Sequence, residues 1–297
     1  MEIKEVLGKT FCIDTGMTYI PFYKVNDKEI IMMDTGWAEG EREGIVELLE
    51  KNEFKVVGII ASHSHIDHTG NNAYLKEKYN CVIAMPAYEA LICSSAANLK
   101  LYYSSQTLCD VAKHYGHAVF ETDIMIWDTQ DTVCVCDVVF KILHTPGHSP
   151  SHICITTPDD VIYLADALIS YEVMKGAKLP YAYILSEDLK SKLLLKDLKC
   201  NKYIVAHKGI YNDITKLITD NINFYKFRAV RVYAIIDGAM TMQDILKAVI
   251  EKFNINVNSR YKYVVIERML RSYVEYLDET GVIELNIDDG VLKYSKG

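Results

Sequence analysis

Apolar and polar positions alternate along the first 210 residues in two rhythms. Period-two alternation or β-branched runs mark strands at 18–25, 29–34 and 55–61, and a period near 3.6 marks helices at 41–51 and 71–79. A strand at 81–85 leads into Pro86, which suits the first turn of a helix over 87–98. Beyond Asp123 the strand rhythm dominates, at 132–137, 139–144, 152–156 and 161–165, with Pro158-Asp159-Asp160 as a turn. A helix over 187–198, with Ser186 placed to cap it, precedes a strand at 203–206. The pattern is that of an α/β chain.

From residue 225 on the periodicity becomes helical, over 224–236, 241–253 with Thr241 at the cap, and 260–277. Asp289-Gly290 then joins two short strands, 283–286 and 291–294, as a tight hairpin. Three helices and a hairpin describe a winged-helix module, so the chain divides into residues 1–224 and 225–297. Leu270, Val274 and Leu277 fall at i, i+4 and i+7 of the last helix and need a partner surface, either the larger part or a second subunit in a homo-oligomer. The sequence shows no repeat, low-complexity tract or Pro-rich linker.

Composition narrows the class. With 297 residues, 50% apolar and 24% charged, the chain is globular and has room for a large domain and a small one. Its apolar runs fall far short of the roughly 20 residues a bilayer span needs, and Met1-Glu2-Ile3-Lys4-Glu5 lacks the basic-then-apolar order of a secretory signal, so a cytoplasmic protein is expected. The eight cysteines are scattered without a CxxC pair and are expected as reduced thiols. Cys134 and Cys136 would share one face of a strand and are expected in the core. The net charge is −8, but residues 225–297 carry 11 Lys/Arg against 10 Asp/Glu, so the acidic surplus belongs to the first part. That balance weighs against nucleic acid as a partner.

His63-Ser64-His65-Ile66-Asp67-His68 follows directly on the strand ending at Ala61. With nine histidines in the chain, that three His and an Asp fall at four such positions has a chance expectation of about one in a few thousand. Imidazole and carboxylate together suit one or two divalent ions of the zinc type. Six residues cannot close two coordination spheres, so further ligands must come from elsewhere. His148 in Thr145-Pro146-Gly147-His148, Asp166 after 162–165, and His207 after 203–206 each stand at a strand terminus.

Over residues 1 to about 215 the sequence resembles the metallo-β-lactamase-fold hydrolase superfamily, through five motifs: Asp34-Thr35-Gly36, HxHxDH, His148 in TPGH, Asp166 in LADA and His207 in AHKG. The resemblance implies an αββα sandwich with the metals at one edge of its two sheets. It also implies that His63, His65 and His148 hold a first metal and Asp67, His68 and His207 a second, with Asp166 bridging them. Zinc is the default ion, and manganese or iron suit the same donors. Two such cations would generate a bridging hydroxide as nucleophile, and Asp67 would orient it or shuttle a proton. Asp34 is expected to hold the ligand loops by hydrogen bonds rather than bind metal. Ser151, where many relatives carry Gly, and Lys208, where His-Gly is commoner, depart from the family pattern beside the ligands without touching the metal set.

Other residues are less determined. His144 and His152 are expected to support or pack beside the TPGH turn. The stretch between Leu99 and Phe120, with Tyr102, Tyr103, His114, Tyr115 and His117, suits either a lid over the metals or a solvated helical insertion. Tyr181 and Tyr183 suit packing or donation to an oxyanion, and no residue after Lys208 is expected to be catalytic.

The expected function is therefore that of a binuclear metal-dependent hydrolase acting on a small-molecule thioester, ester or lactone. The alternative is a phosphodiesterase or endoribonuclease, since lactamase-like endoribonucleases pair this core with a C-terminal winged-helix-like module. The acidic balance favours the first reading, because Lys262, Arg268 and Arg271 make a poor basic track. A nucleic-acid-binding regulator would leave the seven ligand candidates unexplained. The flavodiiron pattern has Glu in HxExD, and secreted β-lactamases lack the bridging Asp166, so neither subgroup fits.

Overall fold

A computed structural model describes residues 1–103 and 106–297; Ser104 and Ser105, within the stretch that suits a lid or an insertion, lie outside the described residues. The first half carries β1 (Glu2–Leu7), β2 (Thr10–Asp14), β3 (Tyr19–Lys24), β4 (Glu29–Met33), α1 (Ala38–Lys51), β5 (Lys55–Ile60), α2 (Ile66–Thr69), α3 (Asn72–Tyr79), β6 (Val82–Pro86), α4 (Ala87–Cys93), α5 (Ala96–Tyr102), α6 (Leu108–Tyr115) and β7 (Ile124–Ile126). The second half carries β8 (Thr132–Val135), β9 (Val138–His144), β10 (Ile153–Thr156), β11 (Val161–Ala165), α7 (Tyr171–Gly176), α8 (Leu185–Leu194), β12 (Lys202–Val205), β13 (Gly209–Tyr211), α9 (Thr215–Ile235), α10 (Met242–Lys252), α11 (Arg260–Glu279), β14 (Ile283–Asp288) and β15 (Val291–Lys296).

Strands β1 to β7 form one seven-stranded sheet in sequence order, antiparallel through β4 and parallel from β4 to β7. The second sheet runs β13-β12-β11-β10-β9-β8 and is antiparallel except where β11 meets β12. Period-two alternation assigns the layers. In β4, Ile30 and Met32 pack under α1 while Ile31 and Met33 face the other sheet. In β11, Ile162 and Leu164 face helices while Val161, Tyr163 and Ala165 face the first sheet. Both faces of the central strands are thus covered, which is why they appear as unbroken apolar runs. The result is the expected αββα sandwich. At one edge the two sheets are tied directly, Tyr19 N donating to Ala206 O (2.7 Å) and Ile153 N to Ser62 O (3.2 Å).

Several expectations are corrected. The helix expected over 87–98 is two helices, because the Ser95 hydroxyl accepts from Asn98 N and starts a new one. Ser186 does not cap α8: the helix begins at Leu185, after Tyr183 N and Ile184 N have both bonded Gly147 O. Cys134 is exposed and Cys136 only half-buried, because Val133 and Val135 take the inward face and the strand ends before Cys136. β1, β2, β7 and β13 are additional strands, and α9 starts at Thr215, nine residues earlier than expected (224 − 215).

In the last quarter, Thr241 and Asp244 form a reciprocal cap at the start of α10. Asp289 and Gly290, both at positive φ (49° and 73°), close the β14–β15 hairpin. Leu270, Val274 and Leu277 are buried in one apolar core with Leu164 of β11, Leu189 of α8 and Leu217 of α9. The boundary expected at residue 224 falls inside α9. Among the described residues no helix is long and apolar enough to cross a membrane.

Candidate metal centre and its pocket

All seven residues singled out by sequence converge at the tied edge of the sandwich. His63 and His65 leave the end of β5; Asp67 and His68 ride on the single turn α2; His148, Asp166 and His207 follow β9, β11 and β12. Two glycines let the loops approach. A Cβ on Gly147, at φ +124°, would sit 2.0 Å from Asp188 N, and one on Gly70 would meet Ile66 O at 2.5 Å. Asp34 and Ala165 hold positive φ without being glycine (63° and 43°), so strained backbone marks two corners of the site.

His65 Nδ1 lies 2.9 Å from His63 Nε2 and 3.0 Å from His148 Nε2, and the Asp166 carboxylate closes that group through Oδ2, 3.2 Å from His148 Nε2. Oδ1 of the same carboxylate lies 3.5 Å from His68 Nε2 and 3.4 Å from His207 Nε2. Asp67 Oδ2 completes the second group, 3.4 Å from His207 Nε2 and 3.8 Å from His68 Nε2. In each of the sets His63/His65/His148/Asp166 and Asp67/His68/His207 the ligand atoms lie within 4.8 Å of one another. His68 Nε2 and Asp166 Oδ1 are buried with no hydrogen-bond partner. Buried polar atoms are rarely left so, and three imidazole nitrogens rarely crowd one point, unless an ion is meant to share them. Nitrogen and carboxylate donors without thiolate suit zinc, manganese or iron. These residues therefore fit divalent metal.

Charge is divided across the site. Burial, reinforced by neighbouring imidazoles, holds His63 and His65 well below the ordinary histidine range, so both stay neutral, the form that ligates. Burial also opposes charge on His68 and His207, but the carboxylates around them prevail: His68 is raised well above its usual value, and His207, facing Asp166 and Asp67, is pushed up to about 10. Burial likewise disfavours the charged Asp67, yet His68 and His207 hold its carboxyl below the usual range.

Asp34, whose carboxylate also lies within 4.8 Å of donor atoms of His63 and His68, is tied into the loops by hydrogen bonds. It accepts from Ser62 N (2.7 Å), Ser62 Oγ (2.7 Å) and Tyr163 OH (2.8 Å), and its Oδ2 lies 2.7 Å from His68 Nδ1. His152 is buried; its Nδ1 lies 2.8 Å from Thr145 Oγ1, and its Nε2 accepts from Asp166 N at 3.2 Å. His144 points outward to Gln130 O. His114 is exposed, and neither it nor His117 joins the ligand sets.

The sequence assigned no role at the cluster to Glu89 or Arg268, and placed Tyr102 only in the stretch that suits a lid or an insertion. Glu89 of α4, fully buried, accepts from Ser64 N (3.0 Å), Ser149 Oγ (2.6 Å) and Ser151 N (2.9 Å), pinning the HxHxDH and TPGH loops to one carboxylate. Tyr102 OH lies 3.0 Å from His65 Nε2. Arg268 of α11 donates to Tyr181 OH and stands over the Tyr102 ring at 4.3 Å. The helical spacing of Ala87, Glu89, Ala90 and Cys93 was the one sequence signal for Glu89; the Tyr- and His-rich 99–120 stretch pointed to Tyr102 only as part of a lid or an insertion, and Arg268 had none.

A cavity of about 730 Å³ opens from the His/Asp cluster. One wall is the turn Lys178 to Tyr181; another is Tyr103 with Tyr115, stacked at 4.2 Å; the third is α11 with Asn254 to Asn256 before it. Tyr103 and Tyr115 of this wall share a small core with Leu99 and Val111. The last helices complete the pocket.

A two-sheet sandwich with a convergent His/Asp cluster at its edge is an arrangement suited to holding divalent metal ions. A model of the metallo-beta-lactamase superfamily matches residues 13–207, and the chain belongs to that superfamily. It is similar to an uncharacterized protein of Aquifex aeolicus (strain VF5), 30% identical over 188 residues, covering 63% of this chain and 81% of the relative. It is also similar to a hydroxyacylglutathione hydrolase of Rhodopseudomonas palustris (strain ATCC BAA-98 / CGA009), 27% identical over 54% of this chain. The match spans only 52% of that relative's length. Among solved structures, a beta-lactamase domain protein from Burkholderia ambifaria shares the fold over 100% of this chain and 94% of its own, with a TM-score of 0.72 at 14% identity.

Proposed function

We propose that the chain is a binuclear metal-dependent hydrolase of a small-molecule thioester, ester or lactone. The observation that carries this is the Asp166 carboxylate, one oxygen turned to His148 and the other to His68 and His207. His63, His65 and His148 would hold one ion, Asp67, His68 and His207 the other, and Asp166 would bridge them. Ions bound there would supply an ionised water nucleophile at neutral pH and positive charge for the oxygen that becomes negative in the transition state. Asp67, part-exposed to the cavity, orients the nucleophile and carries its proton. Similarity to hydroxyacylglutathione hydrolases supports a thioester among the acyl classes. The winged-helix-like last quarter serves as a pocket wall, and the carboxylates Glu267, Glu275 and Asp278 on α11 are poorly suited to a phosphate backbone.

The test is turnover of thioesters, lactones and phosphodiesters by the metal-loaded chain, with elemental analysis. About two ions per chain are expected, about one in His68→Ala, and an approximately hundredfold or greater fall in kcat for Asp67→Ala. One ion or fewer in the reloaded wild type, with His68→Ala unchanged, rejects the binuclear centre. Turnover confined to phosphodiesters replaces the acyl reading with the phosphodiesterase one.

A further inference from the structure

Arg268, Tyr181, Tyr102 and His65 form a hydrogen-bonded line from α11 to the ligand cluster, and the protons along it can be placed. Resting on the hydrolase reading above, His65 offers Nδ1 to the point where His63 Nε2 and His148 Nε2 also converge, so its proton is on Nε2. That N–H donates to the Tyr102 oxygen, 3.0 Å away. Arg268 has no acceptor and can only donate to the Tyr181 oxygen. Between the two phenols, 3.2 Å apart, one proton remains to be assigned. If Tyr181 donated to Tyr102, the Tyr102 hydroxyl proton would be stranded, because Tyr102 is not on the cavity wall. Burying an unpaired donor is costly, so Tyr102 donates to Tyr181.

The Tyr181 oxygen then receives two donated protons and its own hydroxyl proton has no partner among the described residues. Tyr181 lines the cavity, its ring centroid 5.2 Å from that of His65 and 5.5 Å from that of His148. We infer that Tyr181 is a catalytic residue whose hydroxyl donates to the substrate oxygen on which negative charge develops, and that Arg268 and Tyr102 are positioning residues that turn this proton into the cavity. The cage of Tyr102, Tyr103 and Tyr181 rings, at 4.3, 4.9 and 4.8 Å from the guanidinium carbon, fixes Arg268 in the one place from which it can do so.

The experiment uses the metal-loaded full chain. Tyr181→Phe keeps the ring and removes the proton; kcat is expected to fall about a hundredfold with KM nearly unchanged and both ions retained. Arg268→Met should give most of that loss and Arg268→Lys, which can still donate once, should recover part of it. The double variant Tyr181→Phe/Arg268→Met should be no slower than Tyr181→Phe alone, since the two residues act through one hydrogen bond. Independently of turnover, calorimetric affinity for a methylphosphonate ester, a mimic of the tetrahedral species, should fall about tenfold or more in Tyr181→Phe. Wild-type kcat and wild-type phosphonate affinity in Tyr181→Phe overturn the inference, as do fully additive losses in the double variant. If the wild type cleaves no acyl substrate, the acyl reading fails and the phosphonate affinity alone decides the role of Tyr181.

Discussion

Asp34 Oδ2 lies 2.7 Å from His68 Nδ1, and both side chains are buried. The carboxylate accepts the Nδ1 proton, so His68 presents Nε2 to Asp166 and Asp67. The ring nitrogen that His68 turns to the cluster is thus set from behind.

Asp34→Asn should therefore weaken metal retention at the His68 group. An amide cannot accept from Ser62, Tyr163 and His68 together, and loss of such a support typically costs about ten- to hundredfold in metal affinity. Competition with a chelator, followed by elemental analysis, measures it; retention equal to wild type would show that Asp34 serves the fold alone.

Glu89→Ala should cost stability and metal together. It strands Ser64 N and Ser151 N in a buried place, for roughly 2–5 kcal/mol in all. Urea unfolding gives the first number and metal content the second. Glu89→Gln, which keeps an acceptor, is expected to fall between alanine and wild type; a variant that loses stability but binds metal normally would separate the two roles.

The raised pKa of His207 gives the chelated protein a pH signature. Its folded value of about 10 lies above the roughly 6.5 of an unfolded histidine, so the charged pair with Asp166 and Asp67 stabilises fully below about pH 6.5 and is lost as pH rises toward 10. His68, also raised, adds in the same direction. The melting temperature of the chelated protein should thus decline across pH 7 to 10, while the metal-loaded protein, in which a cation replaces those protons, should not show this decline. Parallel curves for the two would refute it.

Lys192 and Asp188 form a buried pair at 2.6 Å beneath the Tyr225 ring. Lys192→Ala leaves the carboxylate alone in the core and should destabilise by about 3–5 kcal/mol, read by denaturant unfolding. Because Asp188 packs against Gly147 of the TPGH turn, activity should fall more steeply than in a surface variant such as Lys190→Ala.

The legible part of this molecule was its periodic part. Strand ends carrying His or Asp recur at fixed motifs, and that regularity is enough to bring the seven cluster residues together on paper. Glu89 and Arg268 were hidden for a physical reason: each is a single polar residue on a helix, and its partner lies 25 to 87 residues away. Helical periodicity says which face is wet, but not that one carboxylate on the dry face accepts from two loops. Cys134 was misplaced differently. The alternation was right and the face wrong, since period two leaves open which of two apolar sets turns inward, and valines offered more area than cysteines.

Helix α9 begins beside the second sheet and ends among the helices that wall the pocket, with buried side chains from Leu217 to Val232 feeding one core. There is consequently no hinge along it at which a protease could separate the wall from the sheet, and heating should melt both in one step. Replacing the wall wholesale would therefore open the core packed around Leu164, Ala167 and Leu168, on either side of Asp166.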